Sequence, residues 1–486
     1  MVSPVGWSSV LLDADTWLHT RIGQIILSSG TVPHQDLFAF SKVAQPWYAF
    51  EWLSEVVLAG VYQFSGLKGI SLLAAGLITL YFTVLLKHTV WKGSNGMIAL
   101  ITTLVAATGT SIHFHARPHL FTLLFLSTSL WILDNNRRLH TDETKPSGRY
   151  ILWALVPLTA LWANLHGGFF IFFALLGLRV LGCAAESFFY PDLRLARRNE
   201  AIQLTLLGLA CTAASLLNPY GYHLHEHILE TLKSPWILAN AREFQSPSFR
   251  SEEMYNFMVL LFAGLAIVSS LLRKRNLVDP LSILFLAYCS LTSVRHSTIF
   301  LLFAAPIIAI ELSAAWDAVA VGRKKSSILA ILHDVTKRLT FMMPGTSLFI
   351  PLAMITIAFA PGLRWPTQIP EGSVPVKFIE AHADRIAGSR IFTSDQIANY
   401  LIFRNYPRQK VFFDSRHNYY GPEIGNDFNA ISAGQRKWRE LLEKYRFNLV
   451  LVELDAPLNA LLLAASGWHI VQQDEKYVLF ERDQAI

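Results

Sequence analysis

Asp13, Asp15 and Glu51 are acidic residues of the kind that takes a proton from a reacting group, and they share one stretch, 13–55, with Asp36, Glu55, Trp17, Trp47 and Trp52. Carboxylates crowded against aromatic rings at a membrane surface point to chemistry. Two plainer roles compete: Asp13 could cap a helix ahead of Trp17, and Glu51 could be a solvated interfacial carboxylate. Helical spacing from Asp15 to about Leu27 puts Trp17, Leu18, Ile22, Ile25 and Ile26 on one apolar stripe, with Asp15, His19 and Gln24 opposite. A helix so built is expected to lie in a membrane interface, not to cross it.

The elements that must position these residues are membrane helices. The chain is 52% hydrophobic and only 16% charged, with mean hydropathy +0.37, and it repeatedly runs apolar for close to a bilayer's thickness. Residues 1–12 are too short to span, so either the chain starts on the outer side or a first span is missing. The helix Tyr48–Phe64 carries Glu51 and Glu55 one turn apart and reads as re-entrant or surface-lying. Spans are expected at 68–87, 97–113, 118–134, 150–164, 169–186, 202–217, 256–272, 279–292, 297–318 and 341–361. One set of alternate loops holds seventeen Lys and Arg, among them Lys92, Arg137, Arg197 and Arg273; the other holds seven. The positive-inside rule makes the first set cytoplasmic and supports the re-entrant reading, because a full span at 48–64 would reverse every later loop. The net charge of +6 is accounted for by those loops, so nucleic acid is not expected as a partner. Cys183, Cys211 and Cys289 lie in apolar segments without metal-like spacing.

With that topology, polar residues gather on the outer side: His19, His34, His113, His115, His119, His166, His223, His225, His227 and His296, with Arg117, Asn164, Asn218, Tyr220 and Arg295. Outer loops are polar in any case, but Arg117 and Arg295 at span ends call for anionic partners and so for a cavity. From about residue 364 the chain alternates β-rich stretches (390–392, 410–413, 449–453, 468–472, 477–480) with helical ones (395–403, 435–445, 458–465). This reads as a small extracytoplasmic α/β domain, 364–486, after a membrane domain, 1–363, whose first outer loop is 13–66. In that α/β domain DSRHNYYG, 414–421, reads as a turn or as a cluster facing the cavity. The runs HLHEH (223–227) and HFHARPH (113–119) suit metal ligands only in extended chain, and neither has the H-E-x-x-H spacing.

An acidic pair opening the first outer loop (Asp13-Ala14-Asp15), a later acidic position (Glu51), many spans and an extracytoplasmic C-terminal domain resemble the GT-C superfamily of membrane glycosyltransferases. That superfamily includes protein O-mannosyltransferases and the aminoarabinose transferases of lipid A. The segments DADTWLHTRIGQIILSSGTVPHQDLFAF, QPWYAFEWLSE, ARPHLFTLLF, WANLHGGFF and LNPYG are similar to those of uncharacterised bacterial members. The chain departs from the better-known members in lacking a span before Asp13, in Asp-Ala-Asp where several have Asp-Glu, and in Phe-Glu-Trp where the two named groups have a proline-rich step. The resemblance implies a polytopic α-helical membrane protein, a GT-C-like bundle of about ten spans plus re-entrant first-loop helices, in the bacterial cytoplasmic membrane. It implies a polyprenyl-phosphate sugar donor and an acceptor hydroxyl on lipid, glycan or protein. Asp15, or else Asp13, would be the general base, and Glu51 would orient the base or the acceptor. Arg117 and Arg295 would stabilise the departing phosphate. His166 would bond the donor, Trp52 would face a sugar ring, and His19, Asn218 and Tyr220 would line the substrate cavity. No cofactor is firmly implied, and a divalent metal is left open. The rival readings are a flippase for a lipid-linked sugar, a metal-dependent membrane hydrolase, and a structural scaffold.

Overall fold

In the computed structural model, which describes residues 9–141, 146–320, 327–346, 365–372 and 374–483, the acidic first loop is carried by two helices. α1 (Asp15–Ser29) is followed by irregular chain and then by α2 (Trp52–Trp91). Unbroken, the 40 residues of α2 would reach about 60 Å, twice a hydrocarbon core. They are broken at Gly66, whose φ of 58° and ψ of −145° a side chain would resist. The break falls between the expected first-loop helix, 48–64, and the first expected span, 68–87.

The bundle continues with α3 (Gly96–Gly109), α4 (His119–Thr141), α5 (Leu155–Leu165), α6 (Phe169–Phe189), α7 (Arg194–Ser215), the shorter α8 (His223–Lys233) and α9 (Pro235–Asn240), then α10 (Glu252–Arg273), α11 (Val278–Thr292), α12 (Ser297–Ala320) and α13 (Ile328–Thr346). α12 is apolar on every side and buried through Phe300, Leu301, Leu302, Ala304 and Ile308, so it is the centre of the bundle. The peripheral helices turn Leu181, Leu206, Leu209, Phe262 and Leu284 outward, as helices solvated by lipid do. Among the described residues, Trp52–Trp91, Phe169–Phe189, Glu252–Arg273 and Val294–Ala320 are long and apolar enough to cross a membrane, and Gly96–Gly109, Tyr150–Leu165 and Val278–Thr292 are shorter apolar helices. The segments 118–134 and 202–217 fall on α4 and α7 except for residue 118 and residues 216–217. Most of 341–361 lies outside the described residues.

Several cations that read as loop charges are not in solvated loops. Arg137 lies inside α4 and grips Glu186 of α6 at 2.8 Å, Arg197 of α7 lies 3.0 Å from the same carboxylate, and Lys92 reaches Asp134 at 2.6 Å. The helices run past the apolar windows and carry these charges into the bundle, where carboxylates meet them.

Residues 374–483 hold α14 (Val376–Ala381), α15 (Ala383–Ile386), β1 (Ile391–Phe392), α16 (Asp395–Asn405), α17 (His417–Ser432), α18 (Trp438–Lys444), β2 (Leu449–Glu453), α19 (Pro457–Leu463), β3 (Trp468–Gln473) and β4 (Tyr477–Arg482). The sheet order is β1-β2-β4-β3, parallel at β1/β2 and antiparallel elsewhere. The stretch 410–413, expected as a strand, makes only a single bridge, Val411 to Ala39 of the first loop.

This unit covers α1. The apolar stripe Trp17, Leu18, Ile22 and Ile26 is buried as the periodicity requires, but so are Asp15, Thr16 and Thr20. On one side α2 comes so near that a β-carbon at Gly23 would stand 1.8 Å from the Glu55 carbonyl oxygen. On the other, the backbone carbonyl of Phe403 in α16 accepts from Arg21 Nε at 2.9 Å, and its ring lies 5.5 Å from Trp17. α1 is therefore a strut between two packed bodies.

The DSRHNYYG segment is the other seam. Arg416 bonds Asp414 of its own segment and reaches Asp36 of the first loop at 2.7 Å, with its guanidinium over the rings of Phe38 and Trp47. It is thus more than a plain turn.

Candidate active site

Asp13 and Asp15 stand at the start of α1. Asp13 Oδ1 accepts from the Asp15 amide at 2.9 Å, so it meets one of the unpaired amides of a helix start. Its Oδ2 lies 3.1 Å from Arg117 Nη1, while Asp15 Oδ2 lies 2.8 Å from Arg117 Nη2. One guanidinium thus holds two carboxylates. The chain before α4 is pinned to α1 by the Thr16 hydroxyl, which donates to the Ala116 carbonyl at 3.1 Å, and this fixes where Arg117 stands.

Glu51, just ahead of α2, faces two imidazoles, with His166 Nε2 at 3.3 Å and His19 Nε2 at 3.5 Å. The other nitrogen of His19 lies 3.0 Å from Glu55 Oε1, so carboxylates meet both edges of that ring. His166 Nδ1 accepts from the Gly168 amide at 2.9 Å, which puts its ring proton on Nε2, toward Glu51. Thr122 completes the chain: its hydroxyl accepts from Trp162 Nε1 at 2.7 Å and meets His166 Nδ1 at 2.8 Å.

The electrostatics follow from this geometry. Burial pushes Glu51 up to about 7 against the opposing pull of His19. Burial also raises Asp15, and Asp13 adds to it, more than Arg117 lowers it. For Asp13 the balance reverses: burial raises it, but Arg117 and His115 outweigh burial and hold it below the usual range. Burial pulls His19 down, but the Glu55 bond and the Glu51 carboxylate carry it above the usual value. Burial, with Arg295 and Arg117 adding to it, takes His166 down to about 3, in keeping with its neutral tautomer. The result is two basic carboxylates, Asp15 and Glu51, beside one that stays ionised.

Arg295, in the turn before α12, pairs with Glu243 at 3.1 Å and lies over the Phe244 ring. Burial raises Glu243, but Arg295, Arg117, His113 and His166 together hold it low, so this carboxylate joins the two arginines electrostatically. Its side chain remains 44% exposed, and that of Arg117 31%. Both groups are thus packed by protein on several sides and still reach solvent. Beside Arg117 lies a narrow apolar gap of about 10 Å³ lined by Leu58, Leu73, Leu77, Leu120 and Phe121.

The other expected site residues serve the loops. Trp52 Nε1 donates to Asn164 at 2.8 Å. Asn218 spends its amide on its own turn, at the carbonyls of Ser215 and Gly221. The Tyr220 hydroxyl accepts from the Ala49 amide and donates to the Pro33 carbonyl. Tyr220 also lines a separate cavity of about 280 Å³ with His34, Pro46, Trp47, Tyr48, Pro219 and His223. The expected outer ring of polar residues is therefore two groups, one at Arg117 and one at Tyr220.

HLHEH is helical in α8, not extended, and its rings part company: His223 meets Glu226, His225 meets Ser215 and His227 meets Asn418. His113 and His119 likewise bond Thr298 and the His113 carbonyl. Among the described residues, no three His, Cys, Asp or Glu side chains are arranged to hold a metal ion.

Two contributors escaped the sequence reading. Glu243 sits in a short turn with nothing to mark it. The other is Asn399 of α16, which donates to Asp15 Oδ1 at 2.8 Å from the far end of the chain.

No family model and no curated protein sequence matches the chain. Solved structures do. The apo form of the Archaeoglobus fulgidus oligosaccharyltransferase matches with a TM-score of 0.53 at 13% identity, over 92% of this chain and 67% of that one. The oligosaccharyltransferase AglB of that archaeon, in complex with an inhibitory peptide and a dolichol-phosphate, gives 0.53 at 12%, over 91% and 65%. ArnT from Cupriavidus metallidurans bound to undecaprenyl phosphate gives 0.51 at 13%, over 98% and 96%. The chain spans about two thirds of the length of the oligosaccharyltransferases and nearly all of ArnT. At these identities it is the arrangement of helices that is shared: the chain has the fold of these solved structures, the oligosaccharyltransferases and ArnT.

Proposed function

We propose that this protein transfers a sugar from a polyprenyl-phosphate carrier to an acceptor hydroxyl at the outer face of the bacterial cytoplasmic membrane. The observation that carries the reading is the convergence of Arg117 on Asp13 and Asp15 of the first loop in a chain with this fold. The acceptor oxygen attacks C1 of the sugar, the bond from C1 to the phosphate oxygen breaks, and the polyprenyl phosphate leaves with inversion at C1. Asp15, raised and buried, takes the hydroxyl proton. Asp13, held ionised, keeps Arg117 in place. Glu51 orients the acceptor, with His19 and His166 fixing its carboxylate.

Arg117 and Arg295 stabilise charge on the leaving phosphate. Both are already paired with carboxylates, so the phosphate shares or displaces those partners as it binds. Residues 374–483 would lie on the outer side with the first loop they cover.

The test is to incubate the purified protein with a labelled polyprenyl-phosphate sugar and a membrane extract as the source of acceptor hydroxyls, and to follow the label. Release of polyprenyl phosphate with sugar of inverted configuration is expected. A flippase would move the carrier and leave its sugar attached, and a hydrolase would release free sugar without passing it to an acceptor; either result contradicts the proposal.

A further inference from the structure

The contact between α16 and α1 follows a register. Gln396 Oε1 accepts from the Ala14 amide at 3.3 Å, Asn399 Nδ2 donates to Asp15 Oδ1 at 2.8 Å, and the Phe403 carbonyl takes Arg21. Asn399 is fully buried, where an unmet amide would be costly. It has no unmet group: Nδ2 also reaches Ser415 Oγ at 3.0 Å, and Oδ1 accepts from the Ser415 amide at 3.4 Å. Asp15 is thereby held from two sides, Oδ2 by Arg117 and Oδ1 by Asn399. A carboxylate tied at both oxygens cannot rotate, so its remaining lone pairs point in fixed directions. A neutral amide does this without adding a second cation that would lower the basicity of the group it orients. A side chain needed only for packing could be a leucine, which has the same branching and no polar atoms.

We infer that residues 374–483 are part of the catalytic centre, with Asn399 as the positioning residue that fixes the Asp15 carboxylate from the opposite end of the chain. This rests on the function proposed above. It gives the C-terminal unit a role in the chemistry beyond covering the first loop.

The test is a double-mutant cycle on transfer kinetics with a labelled polyprenyl-phosphate sugar. Asn399→Leu should lower kcat on the order of tenfold or more, with KM for the donor little changed, because a misplaced reacting group slows the chemical step. In an Asp15→Asn background the same substitution should cost nothing further. Asn426→Leu, which removes a bond to Trp236 elsewhere on the same seam, should keep its kcat and so controls for loosened docking. Full kcat in Asn399→Leu, an equal loss in both backgrounds, or an equal loss in Asn426→Leu overturns the inference and leaves the proposed function standing. A wild-type protein that transfers no sugar overturns both. If Asn399→Leu yields no folded protein, Ser415→Ala at its partly exposed position reads the same contact: a several-fold drop in kcat is expected, and an unchanged kcat overturns the inference.

Discussion

α4 has a group of charged side chains at each end, about 30 Å apart at 1.5 Å per residue, and the two groups balance their charge differently. At the C-terminal end, Asp134, Glu186 and Glu200 meet Lys92, Arg137, Arg179 and Arg197, so three carboxylates face four cations at distances such as 2.6 Å for Arg179 to Asp134 and for Arg197 to Glu200. Glu186 and Glu200 are fully buried. At the N-terminal end, Asp13, Asp15, Glu51, Glu55 and Glu243 face two arginines and His19. The first group is saturated and ties helices together. The second has more carboxylate than cation, keeps an opening to solvent at Arg117 and Glu243, and leaves Asp15 and Glu51 more basic than usual. The two ends therefore differ not in the presence of charge but in the ratio of carboxylate to cation and in the opening to solvent.

Breaking the comparison at its reactive end should have the largest effect. Asp15→Asn keeps size and removes basicity, and transfer should fall on the order of 10² or more, as for other losses of a general base, with protein yield nearly unchanged. Full activity in both Asp15→Asn and Asp13→Asn would remove the assignment of the base.

Glu51 should give the next effect, and its sign is fixed. Because burial raises its pKa to about 7 from the usual 4.5, its ionised form is gained as pH rises through about 7, and the pH–rate curve should carry a limb there. Glu51→Gln should slow transfer and erase that limb. The same raised value means that native stability contributed by the protonated form is present below about 4.5 and declines as pH rises through about 7. Thermal unfolding of Glu51→Gln should therefore vary less with pH over that window than unfolding of the wild type.

At the saturated end, Glu186→Gln should cost stability, not chemistry. It leaves Arg137 and Arg197 without their shared carboxylate, a change worth about 3–5 kcal/mol when a buried pair is broken, read as a lower melting temperature in detergent. The folded fraction should keep its kcat. Arg273→Gln, at an exposed position beyond both groups, should change neither readout.

The sequence made one end of this comparison legible and hid the other. Trp17, Leu18 and Ile22 repeat with the helical period, so α1 could be read, and Arg117 stood out as a charge at a span end. A charge count cannot tell Arg137 or Arg197 from solvated loop cations, because what buries them is a carboxylate on another helix. The same reason hid Asn399, which meets Asp15 across 384 positions, and HLHEH, whose two-residue spacing suits extended chain but which folds as α8. Local period reports helices; the pairing of polar groups across the bundle leaves no local trace.

The central claim is that Arg117 and Arg295 receive the phosphate of a lipid-linked sugar. Turnover of a labelled polyprenyl-phosphate sugar in detergent by an Arg117→Gln, Arg295→Gln double variant tests it most directly. Weaker donor binding and a slower chemical step are predicted, since charge on the leaving phosphate grows toward the transition state; normal turnover would contradict the account.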